Sequence, residues 1–174
     1  MKTTILFFLL IALTFSDGIF AQKTVQKITK VKSISGATYV LEQTGGSERA
    51  YIKNKNGVYD QLMKERGKDC EQVGTRDENA LHQSINEIVK SIFSVTRIKQ
   101  LSDDLNNNFF VICISNPAGE IKAVSFLNVS SSITLYEIKA LENAFMKLKL
   151  NLIVGCPETK YIKYNFYIKF GKFL

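Results

Sequence analysis

Two kinds of hydrophobic rhythm organise this chain. Near its end, YIKYNFYIKF alternates without a break: Ile162, Tyr164, Phe166, Ile168 and Phe170 fall on one side, and Tyr161, Lys163, Asn165, Tyr167 and Lys169 on the other. A period of two predicts a half-buried strand. Asn108 to Ser115, NFFVICIS, is apolar throughout, NPAGE (Asn116 to Glu120) carries turn chemistry, and Ile121 to Val129 follows as a partner strand. The other rhythm is helical. Between Thr75 and Val95 the residues Leu81, Ile85, Ile88, Ile92 and Val95 recur every three or four positions, and Leu135, Ile138, Leu141, Phe145 and Leu148 do the same further on. Thr75 with Glu78, and Thr134 with Glu137, have capping-box spacing, so each pair predicts a helix start.

Upstream, Ala37 to Gln43 and Arg49 to Asn54 flank Thr44-Gly45-Gly46-Ser47 and predict a hairpin. Gly57 to Gly67 reads as a short helix, and Gln22 to Ile34 as either a first strand or a loose leader. Asn151 to Lys160, with Gly155 and Pro157, reads as a loop. The order helix, strand, strand, helix, strand predicts an α+β two-layer sandwich with an antiparallel sheet, carrying an N-terminal β-hairpin. The expected division is a signal peptide at 1–21, a β-rich extension or hairpin at 22–75 and an α+β unit at 76–174. The leader expectation comes from the basic start at Lys2, the apolar run Ile5 to Phe15 and the small residue Ala21 before Gln22. That run is shorter than the roughly 20 residues a membrane span needs. The protein is therefore expected to be exported, to the periplasm or beyond, with no transmembrane segment after cleavage. No cysteine stands near Ala21, so it is not expected to be a lipoprotein.

Charge changes the picture modestly. The formal net charge is +7, and the lysines are scattered rather than gathered into an aromatic-interleaved stripe, which argues against nucleic acid as a partner. Three cysteines occur, Cys70, Cys113 and Cys156, with a lone histidine, His82. No spacing suits a metal site, so neither a metal nor another cofactor is expected. Cys113 sits inside the apolar strand; Cys70 and Cys156 stand in loop-like text and are the pair to expect in a disulfide, although spacing leaves connectivity open. Asp103 and Asp104 lie in SDDLNNN, a polar turn-like stretch. No nucleophile elbow, phosphate-cradling loop or HExxH is present, and catalysis is not expected.

The run from about Phe109 to Phe170 resembles the C-terminal domain of TonB-type energy transducers. The likeness rests on VICISNPAGEIKAVSFLNVSSSITLYEIKALENAFMKL, with Ser130-Ser131 in the small-residue position before a helix that carries Ala140 and Ala144, and on the aromatic last strand. No proline-rich spacer precedes it, which sets an energy-transducing role aside. The resemblance implies the fold and a habit of taking peptides at a sheet edge, in a small exported protein of the Gram-negative kind. The expected function is non-enzymatic binding of another envelope or exported protein through the C-terminal sheet, by strand addition or through Tyr161, Lys163, Tyr167 and Lys169. Two alternatives are a small cysteine-dependent enzyme using Cys70 or Cys156, and a structural subunit of a surface assembly. Oligomeric state is left open by the sequence.

Overall fold

A computed structural model describes residues 27–45, 47–66, 73–156 and 158–174. Its centre is an antiparallel six-stranded sheet in the order β1-β2-β3-β6-β5-β8. The strands are β1 (Lys27–Ile34), β2 (Ala37–Thr44), β3 (Arg49–Asn54), β5 (Phe109–Ser115), β6 (Ile121–Ser130) and β8 (Ile162–Ile168). Two short strands, β4 (Val73–Thr75) and β7 (Leu152–Val154), form a separate pair. Among the described residues there are four helices: α1 (Val58–Glu65), α2 (Glu78–Ile92), α3 (Val95–Ser102) and α4 (Leu135–Phe145). None is long and apolar enough to cross a membrane. The expected α+β two-layer architecture is therefore the observed one.

The unbroken hydrophobicity of β5 follows from its position. It lies between β6 and β8 and is covered on both faces. Phe109, Val111 and Cys113 face the main core, where Ile85, Val89, Ile138, Leu141 and Phe145 from α2 and α4 are buried. Ile112 and Ile114 point the other way, into a smaller cluster with Tyr59 and Leu62 of α1. Each such side chain, fully buried, contributes about 1.5–3 kcal/mol. The N-terminal hairpin is continuous with this sheet, since β3 pairs with β6, and β1 is a strand paired with β2. Tyr39 of β2 is wholly buried, and its hydroxyl donates to Glu142 of α4 at 2.5 Å, while Asn54 of β3 donates to the same carboxylate at 3.3 Å. Burial, then the Glu142 bond, pushes the Tyr39 hydroxyl far above its ordinary range.

Three details of the sequence reading need correction. Thr75 does not cap α2: it belongs to β4, and its hydroxyl donates to the Asn151 carbonyl at 3.2 Å. The cap is Asp77, whose carboxylate accepts from the Ala80 amide at 2.9 Å; Asp and Thr are both good N-caps, and the pairing of β4 with β7 decides between them. The helical run also stops at Ile92 instead of continuing to Val95. Phe93 turns extended and is buried edge-on against Phe170 at 5.2 Å, and Ser94 then caps a new helix, α3, that buries Ile98 and Leu101. A side chain that fills the core on an extended residue outweighs one more helical turn. Likewise the loop expected at Asn151 to Lys160 contains β7.

The capping box of α4 is present as expected: Thr134 Oγ1 accepts from the Glu137 amide, and Glu137 accepts from the Thr134 amide at 2.7 Å. The same carboxylate receives the Arg97 guanidinium of α3 at 2.8 Å, and Arg97 also donates to the Ser132 carbonyl. Burial raises the Glu137 pKa, but the bonds from Arg97 and Thr134 together outweigh it and hold it below the usual carboxylate range. A depressed folded-state pKa means stability that is present above the unfolded value and lost as pH falls through the folded one. Glu137→Gln is expected to lower stability at neutral pH by about 1–2 kcal/mol and to flatten the acid side of the stability profile, read by urea unfolding at several pH values. A second expectation concerns the turn between β5 and β6. Gly119 has φ 82°, and a Cβ there would lie 1.7 Å from the Leu150 carbonyl oxygen. Gly119→Ala is expected to cost about 2–4 kcal/mol by the same measurement.

Candidate functional site

β8 alternates as its sequence requires. Ile162, Phe166 and Ile168 are buried, Tyr164 is half-buried, and Lys163, Asn165 and Tyr167 are exposed. It pairs with β5 in continuous register, from Phe109 with Ile168 to Ser115 with Ile162. Among the described residues no strand pairs with its other side, so β8 is an edge of the sheet. Beyond that edge lies a groove of about 680 Å³ between β8 and α2. Leu81 and Ile85 of α2 line it together with Tyr164 and Phe166 of β8 and with Phe173. Tyr164 and Phe166 lie 5.1 Å apart, and Phe166 stacks on Phe145 of α4 at 5.5 Å. Burial, and then the nearby charge of Glu78, raises the Tyr164 pKa, so the phenol stays neutral as a wall of the groove.

The rim is basic. Lys90 and Lys172 stand at the groove walls, and Lys163 and Lys169 project from the opposite face of the β8 segment. None of these four has a carboxylate within ion-pair distance among the described residues, whereas Lys160 binds Glu65 at 3.0 Å and Lys53 binds Asp60 at 2.7 Å. His82, which also lines the groove, lies 3.7 Å from Glu78.

The four residues expected to form a recognition face are thus not equivalent. Lys163 and Tyr167 are on the exposed side of the edge strand, and Lys169 follows just past it. Tyr161 is half-buried beside the α1 cluster, with the Lys160 ammonium 5.2 Å from its ring centre. Tyr167 stacks on Phe110 at 4.8 Å, and Phe110 pairs in turn with the exposed Leu127, so a short apolar row crosses β8, β5 and β6. The groove residues Leu81, Ile85, His82 and Lys90 were missed as a site. Their helical spacing is legible, but nothing in it says which strand the helix lies beside.

Other candidates have structural occupations. Cys113 is a free, wholly buried thiol pushed far above its ordinary range by burial. Cys156 is disulfide-bonded, and Cys70, its expected partner, lies outside the described residues. Asp104 caps the turn Leu105–Asn107 by accepting from the Asn106 amide. A smaller cavity of about 300 Å³ lies beside Glu142, Lys139 and Asn143, but the Glu142 carboxylate there already accepts from Tyr39 and Asn54. Among the described residues no group of His, Cys, Asp and Glu has a metal-binding arrangement.

An antiparallel sheet layered with helices and open at a groove-bordered edge defines the class of fold. No protein-family model matches the chain, and no curated protein matches it. Among solved structures it is similar to a DUF5043 family protein from Bacteroides uniformis, at 18% identity over 85% of this chain and 95% of that one, with a TM-score of 0.62. At that identity the likeness is one of fold.

Native-state thiol labelling checks the inert reading of Cys113. Cys113 is expected to stay unmodified by a maleimide until denaturant is added, with the site located by mass spectrometry; fast native labelling would show an accessible thiolate instead.

Proposed function

We propose that this protein is an exported, non-enzymatic binding module that takes an extended segment of another protein on the free edge of β8. The observation that carries the reading is the pairing of β8 on one side only, with a groove whose lining includes Leu81, Ile85, Tyr164 and Phe166 lying along the other. Strand addition draws affinity from backbone amides and carbonyls and specificity from alternate side-chain pockets. That economy suits a protein in which no catalytic constellation stands out among the described residues, and the groove volume is in the range of small-ligand pockets. Export rests on the signal-like layout of residues 1–21, which lie outside the described residues. The resemblance to TonB-type C-terminal domains supports the same reading, since strand, turn, strand, helix and last strand follow in the order β5, β6, α4 and β8, with the short β7 between the last two.

A random peptide library selected on the intact protein tests this. Selected peptides are expected to slow hydrogen exchange of backbone amides in Ile162–Ile168 and to shift the side-chain NMR signals of Leu81 and Ile85. Peptides that bind without touching β8, or that protect β1, would overturn the proposed edge.

A further inference from the structure

The chemistry of the occupant follows from the charges around the edge, on the reading that β8 accepts a strand. We infer that this strand is an acidic, alternating segment of a partner protein, apolar toward the α2 groove and carboxylate-bearing on its other face. In a strand laid beside β8, every second side chain meets the wall made by Leu81, Ile85, Tyr164 and Phe166. The intervening side chains meet the outward face of β8, where Lys163, Asn165 and Tyr167 stand in sequence and Lys169 follows. Side chains directly opposite on neighbouring strands lie about 4.5–5.5 Å apart, so carboxylates there reach the two ammonium groups.

Lys163 and Lys169 have no carboxylate of their own among the described residues, and neither do Lys90 and Lys172 at the groove walls. An acidic outward face supplies what Lys163 and Lys169 lack, and Lys90 and Lys172 add to the positive field at the groove. A second copy of this chain does not. The other free edge, β1, carries Lys27, Lys30 and Lys32, so stacking β1 on β8, or β8 on β8, sets ammonium groups against ammonium groups. The net charge of +7 repels a second copy at longer range as well, and steers an acidic chain inward.

Three end-capped peptides separate the possibilities: (Val-Glu)4, (Val-Gln)4 and (Val-Lys)4, titrated by fluorescence anisotropy with hydrogen exchange on the saturated complexes. The acidic peptide is expected to bind about tenfold more tightly than the neutral one at low salt, with the advantage shrinking as salt rises. The basic peptide is expected to bind least. In the double variant Lys163→Glu and Lys169→Glu the order is expected to reverse; both residues are exposed, and Lys163→Gln with Lys169→Gln serves if the reversed charges impair folding. Equal affinity for the acidic and neutral peptides, both protecting β8, overturns the charge inference while strand addition stands. Failure of every peptide to protect β8 overturns the strand-addition reading itself. Binding to phosphatidylglycerol vesicles that is lost in the Glu variant, with no peptide bound, assigns the lysines to an anionic surface and overturns the proposal.

Discussion

The strand Phe109–Ser115 is apolar on both faces and only Phe110 is partly exposed, and the rest of the architecture answers that constraint. A strand apolar on both faces needs neighbours on both edges and a layer on both faces. β6 and β8 supply the edges, α2 and α4 cover one face, and the eight-residue α1 covers part of the other. The aromatic side chains set the thickness of the main layer: Phe109 touches both Phe126 and Phe170, and Phe170 reaches Phe93. Phe93 fills that place only by leaving the helical conformation. The break between α2 and α3 is therefore a packing decision, made by the core and not by local propensity.

Many carboxylates among the described residues are engaged within the fold. Asp77 and Asp104 cap helical turns, Glu137 closes a capping box and receives Arg97, and Glu142 accepts from Tyr39 and Asn54. Glu42, Asp60, Glu65 and Glu120 each hold a lysine. With 23 basic residues against 16 acidic ones, lysines are left over once these pairings are made. Some of them stand where backbone groups are also left over: Lys30 and Lys32 on β1, and Lys163 and Lys169 on β8 and just past it. Charge surplus and unpaired edge thus arise separately and meet at the same place.

Much of the fold was legible in the residues. Period-two alternation located β8, the NPAGE turn located the β5–β6 hairpin, and Thr134 with Glu137 located the start of α4, because each of these signals is local. What was not legible depends on contacts distant in sequence. Thr75 and Asp77 are both plausible caps, and only the pairing of β4 with β7 commits Thr75 elsewhere. SVTRIKQLS has too few apolar positions to announce a helix, yet Ile98 and Leu101 are almost wholly buried. Of the candidate site, Lys163 and Tyr167 were visible as one face of a strand. The groove was not, because it needs to be known that α2 flanks β8 and that β8 is last in the sheet.

That last fact also reconciles two meanings of an edge lysine. A cation beside an open edge guards against pairing with like chains, because two such edges brought together oppose charge to charge with little water to screen it. The same cation favours a strand of opposite charge, and for the same reason. Guarding and recruiting are one electrostatic term with its sign set by the newcomer. A neutral edge flanked by Tyr164 and Phe166 would accept any extended apolar segment, its own copies included. On the proposed reading, Lys163 and Lys169 on the outward face of β8 leave its backbone groups open and restrict the sequences that gain by using them.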